Sequence, residues 1–213
     1  MQRRAWTWRT STTDVDHLAL YWNSDDSERR LALIRVIVAN LKGHAEGVDV
    51  LEFGSHVGVN LKLLAENPDV KSARLFAVEP NYEAVGYLKA KMPQVSVLRG
   101  DHRDFLRAQE FPPSAVTLSF ANAVLYSMGP RAARRVVQKM LATSEVVVIG
   151  DNLENSRGSR STFQVEHLSF AHPFETWIRA AGVSEITEVF LDEKDFALGG
   201  FLIAVTKVES PAR

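Results

Sequence analysis

The chain contains no cysteine, which excludes disulfides, a thiolate nucleophile and any metal site built on thiolates. It has no apolar run near the ~20 residues needed to cross a bilayer, and its start, MQRRAWTWRTSTTDVDH, lacks the apolar centre of a signal peptide. Neither sign of charge dominates. The 25 basic and 26 acidic residues are spread along the whole sequence and leave a formal net charge of −1, so no basic face is expected for a polyanion such as nucleic acid. These absences predict a soluble, unexported, cytoplasmic protein with no membrane and no nucleic-acid partner. With 213 residues, 46% of them hydrophobic, the chain suits one domain, 1–213, with a full apolar core. It contains no internal repeat.

Apolar periodicity orders the chain. Leu31, Ile34, Val38 and Leu41 recur at helical spacing within 27–41, ahead of the stop signals Gly43 and Gly47. Short apolar runs then alternate with helical patterns: strand 48–53, helix 59–66, strand 74–79, helix 82–91, strand 95–98, strand 115–120, helix 130–141 opened by Pro130, and strand 145–149. Such alternation implies crossover units and a parallel sheet. A helix over 173–181 stops at Gly182, and two last strand-like runs, 186–191 and 196–205, are joined by a polar turn as a hairpin. The polar, Ser- and Asn-rich stretch 151–171 is longer than an ordinary connection and reads as a lid or substrate loop.

Chemistry concentrates where strands end. VDVLEFGSHVGVNLKLLA is a buried-strand pattern ending in Glu52 that passes through Gly54, Ser55 and Gly58 straight into a helix. Gly54 permits a sharp turn at the carboxyl end of the strand, and Gly58 permits close approach of backbone to a ligand or of helix to sheet. The further glycine of a dinucleotide fingerprint is missing, so a cofactor without phosphates is favoured over NAD. The next strand ends in Glu79, 21 residues beyond Gly58, where a carboxylate can accept hydrogen bonds from both ribose hydroxyls. The third, VSVLRGDHRDF, ends in Asp101, placed either to accept from an adenine amino group or to cap the helix that follows.

On these three ordered motifs the chain, from about residue 32 to 208, resembles the class I S-adenosylmethionine-dependent methyltransferases. The resemblance implies an α/β, Rossmann-like three-layer sandwich. Its mostly parallel seven-stranded sheet ends in an antiparallel β6–β7 hairpin, with N-terminal cap helices over 1–44. It places Glu52, Gly54, Ser55 and Gly58 around the methionine part of S-adenosyl-L-methionine, Glu79 on ribose, and Asp101 with His102 on the adenine side. Phe120, Ala121 and Asn122 line the edge of the methyl-transfer pocket. ALYWNSDDSERR resembles the aromatic cover of the family, with Tyr21 and Trp22 over the cofactor. Within the family, VLEFGSHVGVNL followed by VEPN resembles bacterial methylases linked to nonulosonic-sugar pathways, from which the second half departs.

The implied reaction is in-line transfer of a methyl group to a small-molecule oxygen or nitrogen acceptor, leaving S-adenosyl-L-homocysteine. Because a sulfonium methyl is already activated, positioning and exclusion of water dominate. Tyr126, in a place that often faces substrate, and His167, in the loop 151–171, are the candidates for contact and general base. Arg157 and Arg160 are candidates for an acidic substrate. A rival reading takes Asp151 and Asn152 as ligands of a divalent-metal-dependent catechol-type O-methyltransferase. That family needs an aspartate at the end of the fourth strand, where this chain has Phe120 and Asn122. A third reading is a cofactor-binding protein without catalysis.

Overall fold

In the computed structural model, the described residues are 15–23, 27–42, 47–70, 72–113, 115–151, 153, 155–164, 168–190 and 199–206. Among the described residues two helices come first, α1 (Val15–Trp22) and α2 (Glu28–Leu41). Ser27 caps α2, its side chain accepting from the Arg30 N–H. The face of α2 that docks is Leu33, Ile34, Ile37, Val38 and Leu41, whereas Leu31, expected on it, is exposed. Each such side chain contributes about 2 kcal/mol when fully buried, so α2 is firmly seated, and it carries Arg29 down with it.

The core then follows as β1 (Asp49–Phe53), α3 (Val59–Glu66), β2 (Arg74–Glu79), α4 (Tyr82–Lys91), β3 (Ser96–Arg99), α5 (His102–Arg107), β4 (Val116–Asn122), α6 (Pro130–Thr143) and β5 (Ser144–Asp151). After these come a small pair, β6 (Thr162–Gln164) and β7 (Ser169–Ala171), then α7 (Phe174–Ala180), β8 (Glu185–Phe190) and β9 (Gly200–Val205). Seven strands form one sheet in the order β3-β2-β1-β4-β5-β9-β8. The first five are parallel, and β9 lies antiparallel to both β5 and β8. The expected terminal hairpin is therefore present as β8–β9, while β6 and β7 make a separate antiparallel ribbon inside the stretch expected to be a loop.

Side chains alternate across a strand, and this period sorts the sheet into two apolar layers. Leu51, Phe53, Phe76 and Val78 pack on one face with α6 and α7 residues such as Val136, Met140 and Trp177. Val48, Val50, Leu75, Ala77, Leu118, Phe120, Val148 and Phe201 pack on the other, beneath α2, α3 and α4. The same alternation turns Glu52, Glu79, Asn122 and Gly150, at the carboxyl ends of four strands, toward this second face and the cap helices. Among the described residues no helix is long and apolar enough to cross a membrane.

Candidate cofactor and acceptor site

The turn between β1 and α3 is tied to β2 by bonds from the Gly54 and Ser55 N–H groups to the Val78 carbonyl, 2.8 and 3.3 Å. Gly54, His56 and Gly58 all have positive φ, +83°, +50° and +84°. A Cβ on Gly54 would stand 2.7 Å from Val124 Cγ2, and one on Gly58 2.4 Å from Leu88 Cδ1. Both glycines are thus required by conformation and by close packing. Motif reading passed over His56, whose left-handed backbone is unusual for a side chain with a Cβ.

Two buried carboxyls flank this turn. Glu52 is 1% exposed; its Oε1 accepts from Asn60 Nδ2 at 2.7 Å, and its Oε2 has no hydrogen-bond partner among the described residues. Burial pushes it up to about 8, the Asn60 bond opposing, the Glu79 charge adding and the Arg30 charge opposing. Glu79 is 5% exposed and receives the His56 N–H on Oε2 at 2.8 Å and the Asn81 N–H on Oε1 at 2.9 Å. Burial carries it up to about 7 in spite of both bonds. Ser55 Oγ, Asn60 Oδ1 and His56 Nδ1 are also buried without hydrogen-bond partners among the described residues. Unmet polar atoms are rare in folded interiors, and here those of Glu52, Ser55, His56 and Asn60 lie on or beside one turn.

The cap helices close over it. The Tyr21 ring meets His56 in a T-shaped contact at 4.5 Å, and the Arg30 guanidinium lies over the Tyr21 ring at 4.7 Å. Burial, with the charges of His17 and Arg30, lowers His56 to about 4. Trp22 packs against Tyr87 on α4, under Lys62 on α3, and on the apolar cluster of Leu18, Val57 and Val59 beside the turn, where it seats α1.

The remaining candidates are distributed around the same edge. Asp101 is the N-cap of α5, taking the Arg103 and Asp104 N–H groups on Oδ1 at 2.7 and 3.3 Å, while Asp104 returns a bond to its N–H. Partial burial pushes its pKa up, but these bonds prevail and hold it below its usual value. Of the two roles open to Asp101, the capping one is formed. His102, in the first turn of α5, is lowered mainly by burial. Phe120 is fully buried in the layer beneath α2, a correction to its place at the pocket edge: its ring is core. Asn122 is half-buried and accepts from Arg29 Nε at 3.2 Å. Tyr126 lies on a short 3-10 turn, Leu125–Ser127, and its N–H donates to Asp151 Oδ2 at 3.0 Å. Asp151 is the last residue of β5 and is buried. Among the described residues no group of three metal-ligating side chains assembles. His167 and Asn152 lie outside the described residues.

The described parts of 151–171 are tied down. Arg157 bonds Glu175 at 2.7 Å and Glu188 at 3.0 Å, and Ser156 Oγ donates to Glu188 at 2.6 Å. Arg157 is therefore engaged with acids of α7 and β8, in place of the substrate expected for it. Arg160 is exposed, and its carbonyl accepts from Asn155 Nδ2. Sequence reading also missed His172, fully buried just after β7. The Leu125 carbonyl can only accept, so Nε2 donates to it at 3.1 Å and Nδ1 accepts from Ser161 Oγ at 2.8 Å. That neutral ring, lowered to about 4 by burial, joins the β6–β7 ribbon to the turn bearing Tyr126.

No family model matches the chain, and no curated protein matches it by sequence. Solved structures do match in fold. DesVI from Streptomyces venezuelae superposes with a TM-score of 0.65 at 14% identity, over 91% of this chain and 99% of its own. Magnesium protoporphyrin IX methyltransferase (ChlM) from Synechocystis, solved with bound SAM, gives 0.61 at 13% identity over 95% and 90%. The N-terminal domain of EvdMO1, solved in the presence of SAH and D-fucose, gives 0.62 at 13% identity over 85% and 84%. The fold is that of the class I S-adenosylmethionine-dependent methyltransferases.

Proposed function

We propose that this chain binds S-adenosylmethionine at the β1–α3 turn and transfers its methyl group to a small-molecule acceptor. The observation that carries the reading is Glu79: buried at the tip of β2, it holds the glycine turn through the His56 N–H and keeps lone pairs on both oxygens. Ribose hydroxyls are suitable donors to it. Buried Glu52, with one unmet oxygen, suits a cationic amino or sulfonium group, and two carboxyls at this corner oppose a pyrophosphate. The unmet Ser55 hydroxyl fits the same polar ligand.

When bound, the cofactor supplies an activated methyl on sulfur. The chain's own task is to bind, orient and exclude water. In this reading Glu79 holds ribose, Glu52 and the turn hold the amino-acid end, and Asp101 and His102 border adenine. Tyr21 covers the turn. Tyr126 borders the acceptor, and His167 serves as general base, a role that unchanged turnover by His167→Ala would remove. The Arg29 guanidinium, whose charge is felt at Asp151, disfavours a divalent cation there and hence the metal-dependent alternative.

Calorimetric titration with S-adenosylmethionine, S-adenosylhomocysteine and NAD tests the proposal. Micromolar binding of both sulfur compounds is expected, weakened about 100-fold in Glu79→Ala by loss of charge-assisted hydrogen bonds. Binding of NAD instead, or of none of the three, sinks it.

A further inference from the structure

Asn122 ends β4 and lies in register beside Gly54, because Glu52 pairs with Phe120 two residues earlier on each strand. Val124, just beyond, fills the space over Gly54. The amide of Asn122 therefore stands next to the turn assigned to the cofactor. Its orientation is set by chemistry: Arg29 has no acceptor, so the atom facing its Nε at 3.2 Å is the amide oxygen. Three features hold this arrangement. Gly150, the register partner of Asn122 on β5, has no side chain, and a Cβ there would stand 2.5 Å from Asn122 Oδ1 and 2.9 Å from Phe201 Cε1. Arg29 lies over the Phe201 ring at 5.7 Å and is only 7% exposed. The apolar face of α2 seats the guanidinium in that place.

With its oxygen turned to Arg29, Asn122 presents on its other side Nδ2, which makes no hydrogen bond within the described residues and is not among the sealed polar atoms. We propose that Arg29 is a positioning residue that fixes Asn122 as a hydrogen-bond donor, so that the methyl acceptor docks here through an oxygen lone pair (carboxylate, carbonyl or phenolic oxygen) and not through an ammonium group. The inference rests on the methyl-transfer reading and names the polar group its acceptor must carry. An amide free to rotate offers donor or acceptor alike; one pinned by a buried guanidinium keeps its oxygen toward Arg29 and turns its NH2 to the opposite side.

The test is ligand-observed NMR on the full chain saturated with S-adenosylhomocysteine, using benzoate and benzylamine as probes. Wild type is expected to bind benzoate at least about fivefold more tightly, the worth of one hydrogen bond. Asn122→Asp, which offers only acceptors, reverses the preference. Arg29→Met frees or removes the amide's orientation and abolishes discrimination, whereas Arg29→Lys, which retains a donor, preserves part of it. Thermal melts confirm folding of each variant; a merely structural Arg29 would shift the melt and leave the benzoate-to-benzylamine ratio alone. An unchanged ratio in Asn122→Asp overturns the inference. So does a fall in S-adenosylhomocysteine affinity parallel to the loss of benzoate, which places the amide against the cofactor. Failure of wild type to bind S-adenosylhomocysteine removes the methyl-transfer reading as well; binding without preference between the probes removes this inference alone.

Discussion

Two corners of the molecule bury glutamates and treat them in opposite ways. At the tips of β1 and β2, Glu52 and Glu79 are 1% and 5% exposed and are held by an amide and two backbone N–H groups, their pKa values pushed up by burial. Between the 155–158 turn, α7 and β8, the side chains of Glu175 and Glu188 are 9% and 11% exposed, yet Arg157 reaches both and Arg179 adds to Glu175. Those arginines hold Glu175 below its usual range. A buried carboxylate without a cation costs enough to protonate near neutral pH; a paired one stays ionised and fastens the segments that carry it. The paired corner holds its elements together. The first corner has no carboxylate–cation contact among the described residues, only the more distant charge of Arg30 on Glu52, and in the proposed function a cationic ligand completes it.

The largest effect that separates the corners is steric. Gly58 and Gly182 share a left-handed backbone, φ +84° and +87°, but a Cβ on Gly58 meets Leu88 Cδ1 at 2.4 Å while one on Gly182, at the end of α7, meets nothing. Gly58→Ala is expected to cost about 3 kcal/mol, backbone strain plus overpacking. Gly182→Ala should cost about 1 kcal/mol from backbone strain alone. Urea denaturation measures both, and equal losses would deny the glycine turn its tight seat on α4.

The next effect is on pH dependence. Glu52 and Glu79, raised from 4.5 to about 8 and about 7, bind protons in the folded state that the unfolded chain has lost, so their contribution to stability is complete below pH 4.5 and fades through about pH 8. His56 and His172, lowered from 6.5 to about 4, act oppositely: their contribution appears as pH rises from 4 to 6.5. The two pairs oppose each other up to pH 6.5, and above it only the carboxyls act. Stability of the ligand-free protein is expected to fall between pH 6.5 and 8, and Glu52→Gln to remove most of the fall above pH 7, where Glu79 has already titrated. Chemical denaturation across that range decides it; a flat profile in wild type would mean the two acids are solvated.

The difference between these corners also marks what could be read beforehand. Glycine turn, Glu79 and the closing hairpin were legible because each rests on local spacing: a strand that stops, a glycine at a fixed offset, an acid at the next strand's end. Arg29 was not. Within SERRLALIRV it looks like one of several solvated cations, and only the way α2 docks, burying Leu33 and Ile37 and exposing Leu31, turns it inward. Phe120 was misplaced for a related reason, since strand period alone does not say which face a helix will cover. The β6–β7 ribbon has strands of three residues each and no clear alternation, and its place is set by long-range bonds from Asn155 and His172. Arg157 was legible as a cation but not as one already matched, because Glu175 and Glu188 lie 18 and 31 residues further along.

The smallest expected effect is at the paired corner, despite its many ion pairs. The side chains of Arg157 and Arg179 are 75% and 53% exposed, so water screens both partners of Glu175, and such pairs contribute little. Glu175→Gln keeps the volume and one hydrogen-bond acceptor while removing the charge. A fall in Tm of about 1–3 °C is expected, shrinking further in molar salt as the lost attraction is screened in the wild type too. Cofactor affinity should be unchanged, since no bond of Glu175 reaches the glycine turn. Scanning calorimetry at two salt concentrations, with one titration of S-adenosylhomocysteine, measures all three. A loss of affinity comparable to that of Glu79→Ala would show that the two corners are one coupled unit, and the division of labour drawn between paired and unpaired carboxyls would have to be abandoned.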